Sequence, residues 1–180
     1  MTPAHRAPLR RATVLGLLLA PLLALTACEE ESEGGEVLPM VEVPADHAIR
    51  LAVDEVPGSA LARLELVQPQ GEQPVWHGEV VTDDGTRHLV EVDTTRFEVL
   101  DSRTLTGGDG AALRALLDEA TILPDSAVRE VTDPEYGKVT DVEVGEREGG
   151  PAWTIEVATP GEEGEEPTYV VDGRTGTVVG

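Results

Sequence analysis

From Ala12 to Leu25 the chain is apolar apart from Thr13, Gly16 and Pro21, and no Asp or Glu precedes Glu29. An acidic run follows, with Glu29, Glu30, Glu31, Glu33 and Glu36 set among Ser32, Gly34 and Gly35. That mixture of charge and glycine offers nothing to pack. Farther on, Ala48, Ile49, Ala52, Val53 and Val56 recur at helical spacing, as do Ala127, Val128 and Val131. Each set predicts a helix with a core-facing stripe, opened by Pro44 or Pro124 and an acidic first turn. Gly58 and Gly137 suit the C-terminal ends of these helices, where a left-handed residue is needed. Leu64 and Leu66 alternate with Arg63 and Glu65, and Val142 and Val144 with Asp141 and Glu143. Period two of this kind predicts strands with one buried and one wet face.

The turn after Val80 fixes a register. If Asp83, Asp84 and Gly85 form a three-residue hairpin loop with Gly85 left-handed, Val80 faces His88, Gly78 faces Val90 and Trp76 faces Val92. Glu79, Arg87 and Glu91 then share the opposite face. A two-residue loop would instead bring Glu91 into the core beside Trp76 and Val80. Trp153, Ile155 and Val157 align in the same way with Tyr169 and Val171, across a longer loop holding Glu162, Glu163, Glu165 and Glu166. Between these regions, Leu113, Leu116, Leu117 and Ala120 mark one face of a connecting helix, with Asp109 as its cap.

The chain also repeats itself. Pro74, Val75, Trp76, His77, Gly78, Glu79, Val80 returns as Pro151, Ala152, Trp153, Thr154, Ile155, Glu156, Val157. Val43-Pro44 matches Leu123-Pro124, Ala48-Ile49 matches Ala127-Val128, Gly58 matches Gly137, Leu64-Glu65-Leu66 matches Val142-Glu143-Val144, and Val92-Asp93 matches Val171-Asp172, at offsets of 77 to 80. The expected fold class is α+β: two tandem repeats, 43–100 and 123–180, each one helix on a three- to four-stranded antiparallel sheet, joined by a 101–122 linker with its own helix. Each repeat is near the lower size limit for a core stable alone, so the two should pack on each other or on the linker.

The N-terminal pattern is that of a signal peptide, residues 1–27, in which a basic stretch with Arg6, Arg10 and Arg11 precedes an apolar run too short to span a bilayer comfortably. Leu25, Thr26, Ala27 and Cys28 resemble a bacterial lipobox. That resemblance implies cleavage after Ala27, diacylglyceryl attachment at the Cys28 sulfur, and anchoring to the extracytoplasmic face of the cell membrane. Residues 28–42 then read as a tether, with the first folded residue near Val41.

A helix followed by strands with a Pro-x-Trp-x-x-Glu-Val segment, then Val-Asp and Thr-Gly-x-Val, is similar to the PepSY domain of secreted thermolysin-type metallopeptidase propeptides and many bacterial envelope proteins. Tyr169, Val170, Val171, Asp172, Gly173, Arg174, Thr175, Gly176, Thr177 and Val178 carry the closing signature. In the first copy Asp93, Thr94, Thr95, Arg96 and Phe97 stand in its place. The resemblance implies a non-enzymatic binding module that inhibits or chaperones peptidases, or binds other envelope proteins. Independently of the family, Asp172 is placed to accept the amides of its own turn and Gly176 to take a positive φ.

Charge narrows the picture. With 35 Asp and Glu against 13 Lys and Arg, the net charge is −22, which excludes a nucleic-acid partner on electrostatic grounds. Removing 1–27 leaves 35 acidic against 10 basic residues, or −25. One cysteine supports no disulfide framework or multi-thiolate cluster. His47, His77 and His88 could in number bind zinc, but the hairpin register sets His77 and His88 on opposite faces, and the His88-x-x-Glu91 spacing divides the same way. Gly107, Gly108, Asp109, Gly110 lacks the Lys and Ser/Thr of a phosphate loop and reads as a hinge. Trp76 and Trp153 read as core anchors. No catalytic group, cofactor or strong metal site is expected. Weak calcium at Glu162 to Glu166 and a cation-binding or envelope stress-sensing role form the alternative.

Overall fold

A computed structural model describes residues 41–68, 73–132, 138–158 and 167–180. Within them α1 (Ala45–Glu55) is followed by β1 (Ser59–Val67), β2 (Val75–Thr82), β3 (Arg87–Asp93) and β4 (Val99–Thr104). Then come α2 (Gly110–Glu119), α3 (Pro124–Val131), β5 (Lys138–Arg147), β6 (Gly150–Ala158) and β7 (Thr168–Asp172). The fold is mixed α+β, and its seven described strands form a single antiparallel sheet in the order β4-β3-β2-β1-β5-β6-β7.

The β2–β3 hairpin has the register its turn chemistry dictates: Trp76 opposite Val92, Gly78 opposite Val90 and Val80 opposite His88. Gly85 takes φ 80°, and the Gly85 amide donates to the Thr82 carbonyl at 2.9 Å. Across the next pair Trp153 lies opposite Val171 and Ile155 opposite Tyr169. One face of the sheet therefore gathers Leu64, Trp76, Val80, Val90, Val92, Val142, Trp153, Ile155 and Val171, all of them buried. Ala48, Ile49 and Ala52 of α1 and Ala127 and Val128 of α3 join the same core, and the two helices contact each other. Ala-rich helix faces allow a close approach, closest at Gly78, where an added Cβ would stand 2.7 Å from the Ala52 Cβ.

The opposite face carries the charge pairs, with Val81 buried among them. Arg87 holds Glu79 with two hydrogen bonds of 2.6 and 2.8 Å, and Arg103 reaches Glu91 at 2.6 Å. The helix α2, capped by Asp109, whose Oδ1 accepts the Ala112 amide, contacts β1, β2, β5 and β6. It buries Leu117 and lays Leu113 and Leu116 against the core, so the linker helix spans the boundary between β1 and β5.

The structure changes several expectations. Instead of two separate sheets there is one, because β1 and β5 pair edge to edge, with Leu64 opposite Val142, Arg63 opposite Glu143 and Glu65 opposite Asp141. β4 runs to Thr104, past the boundary placed at 100. Asp101 to Thr104 are all exposed, so this edge strand lacks the apolar alternation that marks the others. Val41 is buried and the Glu42 amide donates to the Thr94 carbonyl, so packing includes Val41, as expected, and the 28–42 bounds of the tether run two residues too far. Gly58, with φ 76°, sits in the turn to β1, beyond the Val56 cap of α1. Gly137 and the Glu162 to Glu166 loop lie outside the described residues.

Gly78 has an ordinary strand φ, so Ala there would on propensity alone be favourable by about 0.5–1 kcal/mol. The contact with Ala52 reverses the sign. Gly78→Ala is expected to destabilise the protein by roughly 1–3 kcal/mol in urea unfolding followed by circular dichroism, and an unchanged or raised midpoint would contradict the packing of α1 on β2.

Candidate functional site

Both tryptophans are almost fully buried, and each indole N–H is tied to the main chain entering a helix: Trp76 Nε1 donates to the Val43 carbonyl and Trp153 Nε1 to the Ile122 carbonyl, both at 2.9 Å. They are structural anchors. The histidines do not converge. His77 lies opposite Glu91 and on its face, 3.7 Å from it, whereas His88 lies opposite Val80 on the core side. His47 on α1 meets Phe97 edge-on at 5.2 Å. Among the described residues no group of three His, Cys, Asp or Glu is arranged to hold a metal ion. The lipobox residues Leu25, Thr26 and Ala27, and Cys28 itself, lie outside the described residues.

The two Val-Asp turns are closed by their own carboxylates. Asp172 Oδ1 accepts the amides of Arg174 and Thr175 and the Thr175 hydroxyl; Asp93 Oδ1 accepts the amides of Thr95 and Arg96 and the Thr95 hydroxyl. The first turn thus uses the same carboxylate device without the Thr-Gly pair, and in the second Gly176 has φ 76°. At the β2–β3 turn Asp84 accepts from the Thr82 hydroxyl and the Thr86 amide. Near the linker, Gly107 accepts Arg87 Nη1 at 2.7 Å, and Arg87 lies against the backbone of Gly108. The glycine stretch is packed against a side chain here.

Among the described residues, a concavity lies where the N-terminal end of α1 meets the C-terminal end of α3. It is a cavity of about 450 Å³, with apolar walls from Val41, Pro44, Ala45, Trp76, Val128 and Val139 and a polar rim of Glu42, Asp46, Arg129, Thr132 and Lys138. Lys138, the only lysine of the chain, donates to the Val41 carbonyl at 3.0 Å and so clasps the start of the packed chain to β5. Arg129 is held by Asp125 and Ser126. A volume of this order with apolar walls and a few oriented polar groups suits one or two apolar side chains of a partner or a small amphiphile. The sequence pattern missed this site, because its walls come from two helices and two strands distant along the chain. A lone lysine in so acidic a chain was the signal available.

Four aspartates have displaced titrations. Hydrogen bonds from Thr82 and Thr86 lower the Asp84 carboxyl to about 2. Burial acts to raise Asp93, but the bonds from Thr95 and Arg96 outweigh it and hold the group below the usual carboxylate range. The Thr175 and Arg174 donors lower Asp172. Burial pushes Asp141 up, and the hydrogen bonds and charge of Arg63 offset only part of that.

No family model matches the chain, and no curated protein matches it. Among solved structures, it is similar to the crystal structure of a presumed lipoprotein from Clostridium difficile 630, with 19% identity, a TM-score of 0.47, and coverage of 78% of this chain and 92% of that one. Among the described residues no helix is long and apolar enough to cross a membrane.

For Asp84, Asp93 and Asp172 the folded state binds fewer protons than the unfolded state below the ordinary pKa. Their stabilisation is complete above about pH 4 and is lost as pH falls toward about 2. Asp141 acts oppositely, its contribution declining as pH rises through its ordinary value. Urea unfolding across pH 2 to 6 should show stability falling on the acid side, with a clearly shallower fall in the combined Asp84→Asn, Asp93→Asn, Asp172→Asn variant. An equally steep fall in that variant would show that these turns do not set the acid limit.

Proposed function

We propose that this chain is a non-catalytic protein anchored by a lipidated Cys28 on the extracytoplasmic face of the membrane, built from two copies of one PepSY-like unit, and that it binds a secreted or envelope protein such as a peptidase. The observation that carries the two-copy reading is a set of main-chain bonds recurring at one step of 79 residues. The Thr94 carbonyl accepts the amides of Glu42 and Val43, and the Gly173 carbonyl those of Thr121 and Ile122. The Asp93 amide donates to Glu98 and the Asp172 amide to Thr177. The two indole bonds reach acceptors at the same step, Val43 and Ile122, from tryptophans 77 residues apart. It pairs Val43 with Ile122, one residue earlier than the match of the two prolines.

The anchoring part rests on the Leu25-Thr26-Ala27-Cys28 sequence at the end of the apolar run. The binding part rests on the PepSY-like residues and on the apolar cavity between α1 and α3, which would receive apolar side chains of the partner. A sheet with one face covered by α1 and α3 and charge pairs on the other is a scaffold suited to presenting such a site.

Two independent readouts test this. In a bacterial host that lipidates exported proteins, the chain should incorporate labelled palmitate and sediment with membranes, and Cys28→Ser should abolish both; persistence of either would remove the anchor. Separately, the soluble Cys28→Ser protein should bind a thermolysin-type metallopeptidase secreted by the same cells or change its rate. Ala45→Phe, which fills the cavity, should weaken this at least about tenfold while leaving the melting curve intact, in line with loss of a central anchor pocket. Neither binding nor a change of rate would remove the peptidase reading and leave the anchor untouched.

A further inference from the structure

The edge strand β4 holds Arg103 against Glu91 at 2.6 Å and Asp101 at 3.0 Å within its own chain, while its outer main-chain edge serves neither the fold nor the cavity. Asp101 and Arg103 stand on the charged face of the sheet, with their side chains about half exposed. Ser102 lies opposite Val90, on the other face. Asp101 lies opposite Glu91 and Arg103 opposite Leu89. The Leu105 amide donates to the Arg87 carbonyl at 2.8 Å, so by the alternation of an antiparallel ladder Arg103 and Asp101 also direct their main-chain groups toward β3. Ser102 and Thr104 therefore direct their N–H and C=O groups away from the sheet. β4 ends the strand order on this side, so no described strand lies beyond it.

Exposed edges are usually guarded by charge, by bulges or by brevity. Here the bulge falls between the pairs Glu91/Asp101 and Val92/Val99, leaving 101–104 regular. The charge is of a kind that selects a partner. Placed antiparallel to itself about Ser102, the strand sets Asp101 opposite Arg103 of a second copy, and Arg103 opposite its Asp101. Ser102 meets Ser102 as the hydrogen-bonded pair, and both charge pairs fall in the non-hydrogen-bonded class, where side chains come closest. The exposed Leu100 meets Thr104. A shift of one residue in register would lose the charge match and turn the outward amides away from each other.

The protein already contains a junction of this type. β1 joins β5 edge to edge with Arg63 opposite Glu143 and with the Arg63 guanidinium bonded to Asp141 at 2.8 and 3.0 Å. We propose that two copies of this chain associate through β4, antiparallel about a twofold axis at Ser102, with Asp101 and Arg103 exchanged between copies. The interface is isologous and closes after one partner. It is small, and strongly negative chains oppose it at low salt, so it operates where salt screens the repulsion and where neighbouring copies are held close on one surface.

Cysteine crosslinking at physiological ionic strength tests it, since a Cys28→Ser background contains no other cysteine. Two Cα atoms about 5.5 Å apart in a hydrogen-bonded strand pair are within disulfide reach. Ser102→Cys should form disulfide dimers at least about tenfold faster than Asp54→Cys, an exposed control on α1. Adding Arg103→Asp makes each cross-strand pair repulsive and should slow the reaction roughly tenfold, the sum of two such pairs. Adding Asp101→Arg as well, which restores opposite charges in exchanged places, should return the rate to that of Ser102→Cys alone. Equal rates for Ser102→Cys and Asp54→Cys would overturn the association. A rate insensitive to Arg103→Asp, or no recovery in the exchanged variant, would overturn the register.

Discussion

The described fold depends on the pairing of β1 with β5. On either side of it stands a helix with three or four strands, too little to enclose a core well alone, since chains of about 60 residues bury only about 60% of their unfolded surface. Once Leu64 faces Val142, the two apolar faces run together, α1 and α3 lie in contact, and α2 has a continuous surface to span. The junction carries its own cost. Glu65 stands opposite Asp141, and burial of Asp141 disfavours its charge. Arg63, bonded twice to Asp141 and 3.5 Å from Glu65, offsets both. Its side chain is 43% exposed, so the pair's own contribution is modest, and ladder hydrogen bonds and apolar burial hold the joint. Arg63 makes the register tolerable.

What could be read from the sequence was local or periodic. The loop Asp83-Asp84-Gly85 set a hairpin register that the strands follow, because glycine geometry and the burial of Trp76 leave few alternatives. The stripe Leu113, Leu116, Leu117 located α2, and Asp109 located its cap. What could not be read was where one strand edge meets another. The partners in the β1–β5 ladder are main-chain groups common to every residue, and an Arg opposite a Glu is unremarkable until the strands are known to be neighbours. β4 escaped for a related reason: Asp101, Ser102 and Arg103 have no apolar partner face to alternate with. The cavity between α1 and α3 draws Trp76, Val128 and Lys138 together from three separate stretches, beyond the reach of any periodicity.

Placing the charges changes what the acidic excess means. Among the described residues, some acids on the charged face of the sheet are matched to arginines, as Glu79 is to Arg87 and Glu91 to Arg103. Others close turns, as Asp84, Asp93 and Asp172 do, each accepting amides that would otherwise lack partners. A carboxylate so used is a structural element with a lowered pKa, and it makes the fold sensitive to acid without making it a binding site.

If the β1–β5 junction makes the two sides one cooperative unit, each tryptophan must report the unfolding of the whole. Trp153→Phe leaves Trp76 as the only indole, and Trp76→Phe leaves Trp153. In urea, the account predicts that fluorescence and far-ultraviolet circular dichroism coincide within each variant, one side reporting for both. A fluorescence transition separated from the circular dichroism transition in either variant would show that the two sides unfold independently, and would contradict the central role given to the junction.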